Sequence, residues 1–218
     1  MFYQPELNNH GLPYAPFKSL IVPRPIAWIS TVDHTGRVNL APFSQFNILG
    51  WDPPRVMFSA SKQITGLKKD TVRNAEETGE FVLNFATYDL RDAVSASANI
   101  TDPTVDEMEA AGLTPIASRL VKPPRVKESP IHLECRFEQT IGLPCDTPGN
   151  IQSVVIGRVV GIHIGDEYIT ADGRVDILKI RPLARMGYID YTSVTDVFQV
   201  HGADAHTLRH MSGGRVPA

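Results

Sequence analysis

The chain has almost no cysteine. Cys135 and Cys145 are two in 218 residues, too few for a disulfide framework, and no C-x-x-C pair is present. Cys135 alternates with Ile131, Leu133 and Phe137, which suits a small core side chain. Cys145 follows Gly142-Leu143-Pro144 in a loop, and a thiol there reacts only where its surroundings favour the thiolate. Long apolar runs are missing as well. No stretch approaches the length of a membrane-crossing helix, and the first residues show no basic region followed by an apolar one, so no secretory signal is visible. The expected location is cytoplasmic, with no membrane partner. Neither sign of charge dominates. Lys and Arg number 21 against 24 Asp and Glu, for a formal net charge of −3, so no electrostatic pull toward nucleic acid is expected. The chain also lacks a G-x-x-x-x-G-K-[ST] loop, a G-x-G-x-x-G fingerprint, H-E-x-x-H and G-x-S-x-G. P-loop hydrolase, Rossmann dehydrogenase, zinc protease and α/β-hydrolase readings are thereby weakened.

What is present is β-forming sequence cut by proline. Hydrophobic residues make up 42%, enough for one domain with a real core, and 17 prolines mark strand ends and turns. Residues 24–60 read as three successive strands, Ile26–Val32, Arg37–Ala41 and Phe43–Leu49, with Arg55–Ala60 as the next run. Asp33-His34-Thr35-Gly36 has hairpin-turn chemistry, and Asp52-Pro53-Pro54 ends pairing because proline has no N–H for a ladder.

Further along, Lys68–Thr78 is predicted as a helix, with Asp70 as cap, Val72 and Ala75 inward, and Gly79 as stop. Phe81–Ala86 reads as a strand and Leu90–Ala98 as a short helix. Residues 99–130 form a long excursion with a helical turn at Val105–Ala111, and its prolines argue against regular structure elsewhere in it. Ile131–Ile141 alternates, with His132, Glu134, Arg136 and Glu138 on the polar face, as a half-buried strand does. Ile151–Ile164 is a β-branched run bent at Gly157 and Gly161. Asp172-Gly173 marks a turn, Ile180–Tyr191 reads as irregular but aromatic, and Val197–Val200 as a last short strand. The expected division is an arm at 1–23, a domain at 24–200 and a tail at 201–218. Strands do not alternate regularly with helices, which favours an antiparallel barrel with peripheral helices over a doubly wound sheet.

The constellation with chemistry in it is Ser59-Ala60-Ser61-Lys62 followed by Lys69-Asp70-Thr71. A strand end with hydroxyls leads to a helix start, where unpaired N–H groups and partial positive charge suit a phosphate. The alternative is that Asp70 and Thr71 only cap the helix. His201, His206 and His210 in the tail have no carboxylate or cysteine at metal-site spacing, so no metal is expected. His163 ends a strand, and a lone histidine there is more often structural. Trp28 lies in an apolar run, where core packing is its default.

Several blocks in order then carry a resemblance. PRPIAWISTVDHTGRVNLAPFSQFNI, DPPRVMFSAS, KDTVRNAEETGEFVLN, EAAGLTPIASRLVKPPRVKESPIHLECRFEQTI and RPLARMGYIDY, over roughly residues 15–200, resemble the flavin reductase-like family of FMN-binding split barrels. The resemblance implies a six-stranded antiparallel split barrel, a homodimer, and FMN as cofactor. It implies a flavin ring near Trp28, Ser30, Thr31 and the segment Ser44, Gln45, Phe46 and Asn47, covered by Gly187 and Tyr188. It implies a phosphate held by Ser59, Ala60, Ser61, Lys69, Asp70 and Thr71, with Asp70 acting as helix cap. NADH or NADPH would give hydride to the flavin, which would pass electrons to a monooxygenase or other redox partner. No catalytic side chain is implied, because the cofactor does that chemistry. The alternatives are a flavin electron carrier reduced by a partner protein and, further off, an oxidase of the pyridoxamine-phosphate type.

Overall fold

A computed structural model describes residues 1–61, 68–99, 102 and 104–199. Lys62, Val200 and the tail histidines lie outside the described residues. In chain order the elements are α1 (Phe17–Leu20), β1 (Arg24–Pro25), β2 (Ala27–Val32), β3 (Val38–Phe43), β4 (Phe46–Trp51), β5 (Pro54–Ser61), α2 (Asp70–Thr78), β6 (Glu80–Phe85), α3 (Arg91–Asn99), α4 (Glu107–Ala110), β7 (Pro115–Ile116), β8 (Arg125–Val126), β9 (Ile131–Leu143), β10 (Gln152–Ile164), α5 (Ile177–Ile180), β11 (Leu183–Gly187) and β12 (Asp190–Ser193).

The turn from β2 to β3 forms as its residues dictate. Gly36 takes φ 87, and the Asp33 carboxylate accepts from the Thr35 and Arg37 N–H groups at 2.8 and 2.9 Å. The main antiparallel sheet runs β3-β2-β6-β9-β10-β5-β4. Its two edge strands, β3 and β4, are consecutive in sequence and joined only by Ser44 and Gln45. Edges so closely tied meet only if the sheet curls round on itself, so this is an antiparallel barrel with a seam. Seven strands take part where six were expected, because the chain turns sharply at Ser44–Gln45 and adds β4 as an edge paired to β5 alone.

Burial follows the two-residue period of the strands. Odd residues of β2, Ala27 and Ile29, face the barrel core with Phe43, Phe58, Phe81 and Cys135. Even residues face outward but are covered: Trp28 packs with Leu40, Val94, Met108 and Leu183. Hence all six residues of β2 are buried. The Phe58 ring lies 5.0 Å from Phe43 and 5.6 Å from Phe81. Val72 and Ala75 of α2 close this core, as their spacing predicts, and Gly79 at φ 75 ends the helix. The bends in β10 are register shifts at Gly157 and Gly161. A side chain at Gly157 would overlap the Phe81 ring, so the barrel core itself demands glycine there.

Four expectations are corrected. Helix α2 starts at Asp70 with Lys69 as N-cap, and the Asp70 carboxylate pairs with Arg73 at 2.6 Å instead of capping. An acid in the first turn bonded three residues on suits the helix dipole equally well. The irregular segment from 180 is a hairpin, β11–β12, with Gly187 and Tyr188 at its turn. Residues 197–199 are not a strand. The polar face of β9 is solvated only in its second half: Arg136 and Glu138 are exposed, but His132 is 4% exposed and Glu134 0%, because the 115–130 excursion, stiffened by the β7–β8 ladder, lies over them.

Candidate functional site at the barrel seam

The seam gathers part of the expected site. The Ser59 N–H donates to the Gln45 carbonyl at 2.7 Å, tying β5 to the Ser44–Gln45 connection. Gln152, cross-strand neighbour of Ser61, donates its amide to the Ser59 hydroxyl at 2.5 Å. Nothing in the sequence pattern singles out Gln152; only strand pairing brings it there. Ser61 is exposed, while Ala60 points to the opposite, buried face. Asn47 is exposed with its side-chain oxygen on the Ile48 N–H, and Phe46 packs against the barrel core.

Other expected residues are placed elsewhere. Trp28, Ser30 and Thr31 are all 0% exposed. Alternation sends them to two faces: Trp28 donates to Ser97 at 2.9 Å and Ser30 to the Pro124 carbonyl at 2.6 Å, while Thr31 accepts from Asn74. Their polar atoms are spent inside the protein. Thr71 is buried too, accepting from Asn39 at 2.8 Å. The gap beside it is bordered by Asp33, Asp70 and Glu107 as well as two arginines. Burial pushes the Glu107 carboxyl up to about 7, although its oxygen accepts the Leu40 N–H. Lys69, half-buried, is the N-cap of α2.

Beside the seam opens a cavity of about 470 Å³. It brings Ser44 and Gln45 together with Gly187 and Tyr188, residues far apart in sequence. Lys18, Arg24 and Arg185 line it, with Tyr14, Tyr188 and Tyr191, and among the described residues no carboxylate does. Arg24 and Arg185 are register partners across β1 and β11, and like charges directly opposite repel. Arg24 is anchored by the Ile21 carbonyl at 2.8 Å and by that of Lys18, yet its Nε is buried without a partner. The Arg185 guanidinium sits 4.4 Å from the Tyr191 ring centre. Gly187, at φ 108, lets α1 approach: a Cβ there would lie 2.9 Å from the Ser19 Cα. Tyr188 then turns its ring edge-on to Tyr14 at 5.8 Å. Among the described residues, the cavity thus brings paired cations and aromatic rings together without an acid.

A family model described as "Flavin reductase like domain" matches residues 19–179. An uncharacterized protein of Aquifex aeolicus is 36% identical over 168 residues, covering 77% of this chain and 83% of its own. The structure is similar to nitrilotriacetate monooxygenase component B from Bacillus cereus, with TM-score 0.82, 32% identity, and 92% of this chain and 98% of that one covered. It is also similar to a putative flavin reductase with a split barrel domain from Shewanella frigidimarina, with TM-score 0.78, 25% identity, and 93% and 100% covered. The curled seven-stranded sheet is thus a split barrel, and the chain belongs to the flavin reductase like domain family.

Proposed function

We propose that this protein binds FMN at the seam and uses it as an NAD(P)H-dependent flavin reductase. The observation that carries the reading is the cavity of about 470 Å³, lined among the described residues by three cations and three tyrosines and no acid. Its volume and mixed aromatic and cationic lining fit a ring system bearing negative charge. Ser44, Gln45 and Tyr188 would hold the ring. The phosphate would lie toward Ser59, Ser61 and Lys69, at the start of α2, where Gln152 fixes the Ser59 hydroxyl. Asp70 and Thr71 would serve there through the helix backbone, because their side chains are engaged with Arg73 and Asn39. Trp28, Ser30 and Thr31 would support the site from beneath as core.

When bound, FMN supplies two-electron acceptance from a reduced nicotinamide. The chain's own residues do the rest. Arg24 and Arg185 favour a negatively charged occupant, and the Tyr14–Tyr188 contact shields one wall from water. The likeness to a monooxygenase component B supports delivery of reduced flavin to an oxygenase partner. A homodimer is proposed as well. Edge strand β4 exposes Ile48, Leu49 and, at 82%, Trp51, an apolar edge that a second copy would cover.

Full-length protein should turn yellow with FMN and oxidise NADH or NADPH in its presence. Absence of turnover with either donor overturns the reductase reading. FMN binding with reduction only through a partner protein would make it an electron carrier.

A further inference from the structure

A second polar cavity, of about 410 Å³, lies under the 119–130 segment at the opposite end of β10 from Gln152. None of the residues proposed for flavin lines it. His132 of β9 and His163 of β10 line it. His132 and His163 are cross-strand partners with ring centres 6.0 Å apart. Glu134 is fully buried yet accepts from the Arg119 and Leu120 N–H groups at 2.8 and 2.6 Å and from His163 Nε2 at 2.5 Å. Burial opposes its charge, but these donors outweigh it and hold the carboxyl below its ordinary range. Glu134 therefore fixes which His163 nitrogen carries the proton. Gly161 leaves the room: a Cβ there would lie 3.4 Å from both Glu134 and Leu120.

His132 is different. Its Nε2 meets the Val126 carbonyl at 2.7 Å, so Nε2 carries hydrogen. Burial, with Arg125 nearby, pushes its pKa down to about 4 and keeps the ring neutral. Its Nδ1 is then a bare acceptor, and it is buried with no partner. A buried acceptor without a donor is costly. Arg119, Arg125 and Lys127 line the same cavity as His132, with the Arg125 guanidinium fixed on the Ala117 carbonyl at 2.9 Å. Two carboxylates also border the cavity. Glu128 is engaged by the Thr114 N–H at 3.1 Å, and Glu167 stands at the rim. Three cations line the cavity against these two acids, with the charged Glu134 behind His163, and this balance admits only an anion of low charge.

We propose that this cavity is a binding site for a small oxyanion that carries its own hydroxyl. Arg119, Arg125 and Lys127 meet the charge, and His132 Nδ1 accepts the hydroxyl proton. Protonated phosphate and 2-hydroxy carboxylates share this chemistry; sulfate and acetate lack the donor. The proposal is independent of the flavin reading.

The test is titration calorimetry of the full-length protein at pH 7 with phosphate, glycolate, sulfate and acetate. Phosphate or glycolate is expected to bind at least tenfold more tightly than its hydroxyl-free counterpart. Which of the two binds identifies the source. Arg119→Gln with Lys127→Gln, both exposed and safe for folding, should weaken that binding about tenfold and leave FMN binding unchanged. His132→Phe should erase the discrimination between phosphate and sulfate. Equal binding of all four anions, binding of none, or selective binding that survives the double variant would overturn the proposal.

Discussion

Glu107 shows how one buried acid sets a pH response. Its carboxyl titrates at about 7 in the fold against an ordinary 4.5, because burial disfavours its charge. Between those values the folded chain holds a proton that the unfolded chain has released. Stability therefore falls as pH rises through this window and levels off above 7. Glu107→Gln keeps an acceptor for the Leu40 N–H and removes the slope. Urea unfolding at pH 5 and pH 8 should show the wild type losing up to about 3 kcal/mol more than the variant. Gly187 is the second telling residue. Gly187→Ala adds a Cβ against Ser19 at a φ that side chains avoid, and should cost about 1–3 kcal/mol. Thermal unfolding checks the cost, and FMN titration should show weaker binding as Tyr188 shifts from Tyr14. Gly187-Tyr188 and Tyr191 read from the residues as a lid or a stack on a planar ring, with surface packing as the alternative; the contact with Tyr14 was not legible, since Tyr14 lies 174 positions earlier in the chain. The burial of Trp28 was the default for its apolar run. The loss of Ser30 and Thr31 to the interior was not legible, because the layer over them comes from the 115–130 excursion and α2.

Among the elements, β9 and β10 carry the clearest lesson. Alternation located β9 and its two faces correctly, and both bends of β10 fell on the glycines expected. Alternation cannot say what covers a polar face. His132 and Glu134 looked solvent-facing because strand periodicity reports amphipathicity, not neighbours. The proline-rich segment that hides them offers backbone N–H groups to Glu134, and backbone donors leave no mark in a side-chain pattern. Helix α2 was legible to within its first turn for the same reason that ends fray in prediction: Lys69, Asp70 and Thr71 all make acceptable starts. The packing of β10 on the core yields a sharp expectation. Gly157→Val should destabilise the fold by about 3 kcal/mol or more, as the new side chain meets the Phe81 ring. Gly142→Val, at a position with open space, should stay close to wild type in the same chemical unfolding measurement.

For the whole molecule, the barrel and its family were readable from ordered blocks, while the seam was not. Seven strands instead of six follow from a turn with neither glycine nor proline at its centre, Ser44–Gln45. Association is the prediction that belongs at this scale. Trp51→Glu places a charge on the exposed edge strand and should shift the proposed dimer toward monomer in sedimentation. Its far-ultraviolet circular dichroism should stay unchanged, since Trp51 is 82% exposed. A variant that remains dimeric would move the interface off β4. Among the described residues no helix is long and apolar enough to cross a membrane.

The two-residue tether across the seam also bears on how copies can trade parts. Ser44 and Gln45 alone turn the chain from β3 into β4, and a link this short can straighten into one continuous strand that carries β4 onward into a neighbour. Lengthening it with a flexible glycine–serine stretch eases closure within one chain and is expected to disfavour swapped oligomers, whereas the same insertion in the Asp33–Gly36 turn leaves the seam as it is.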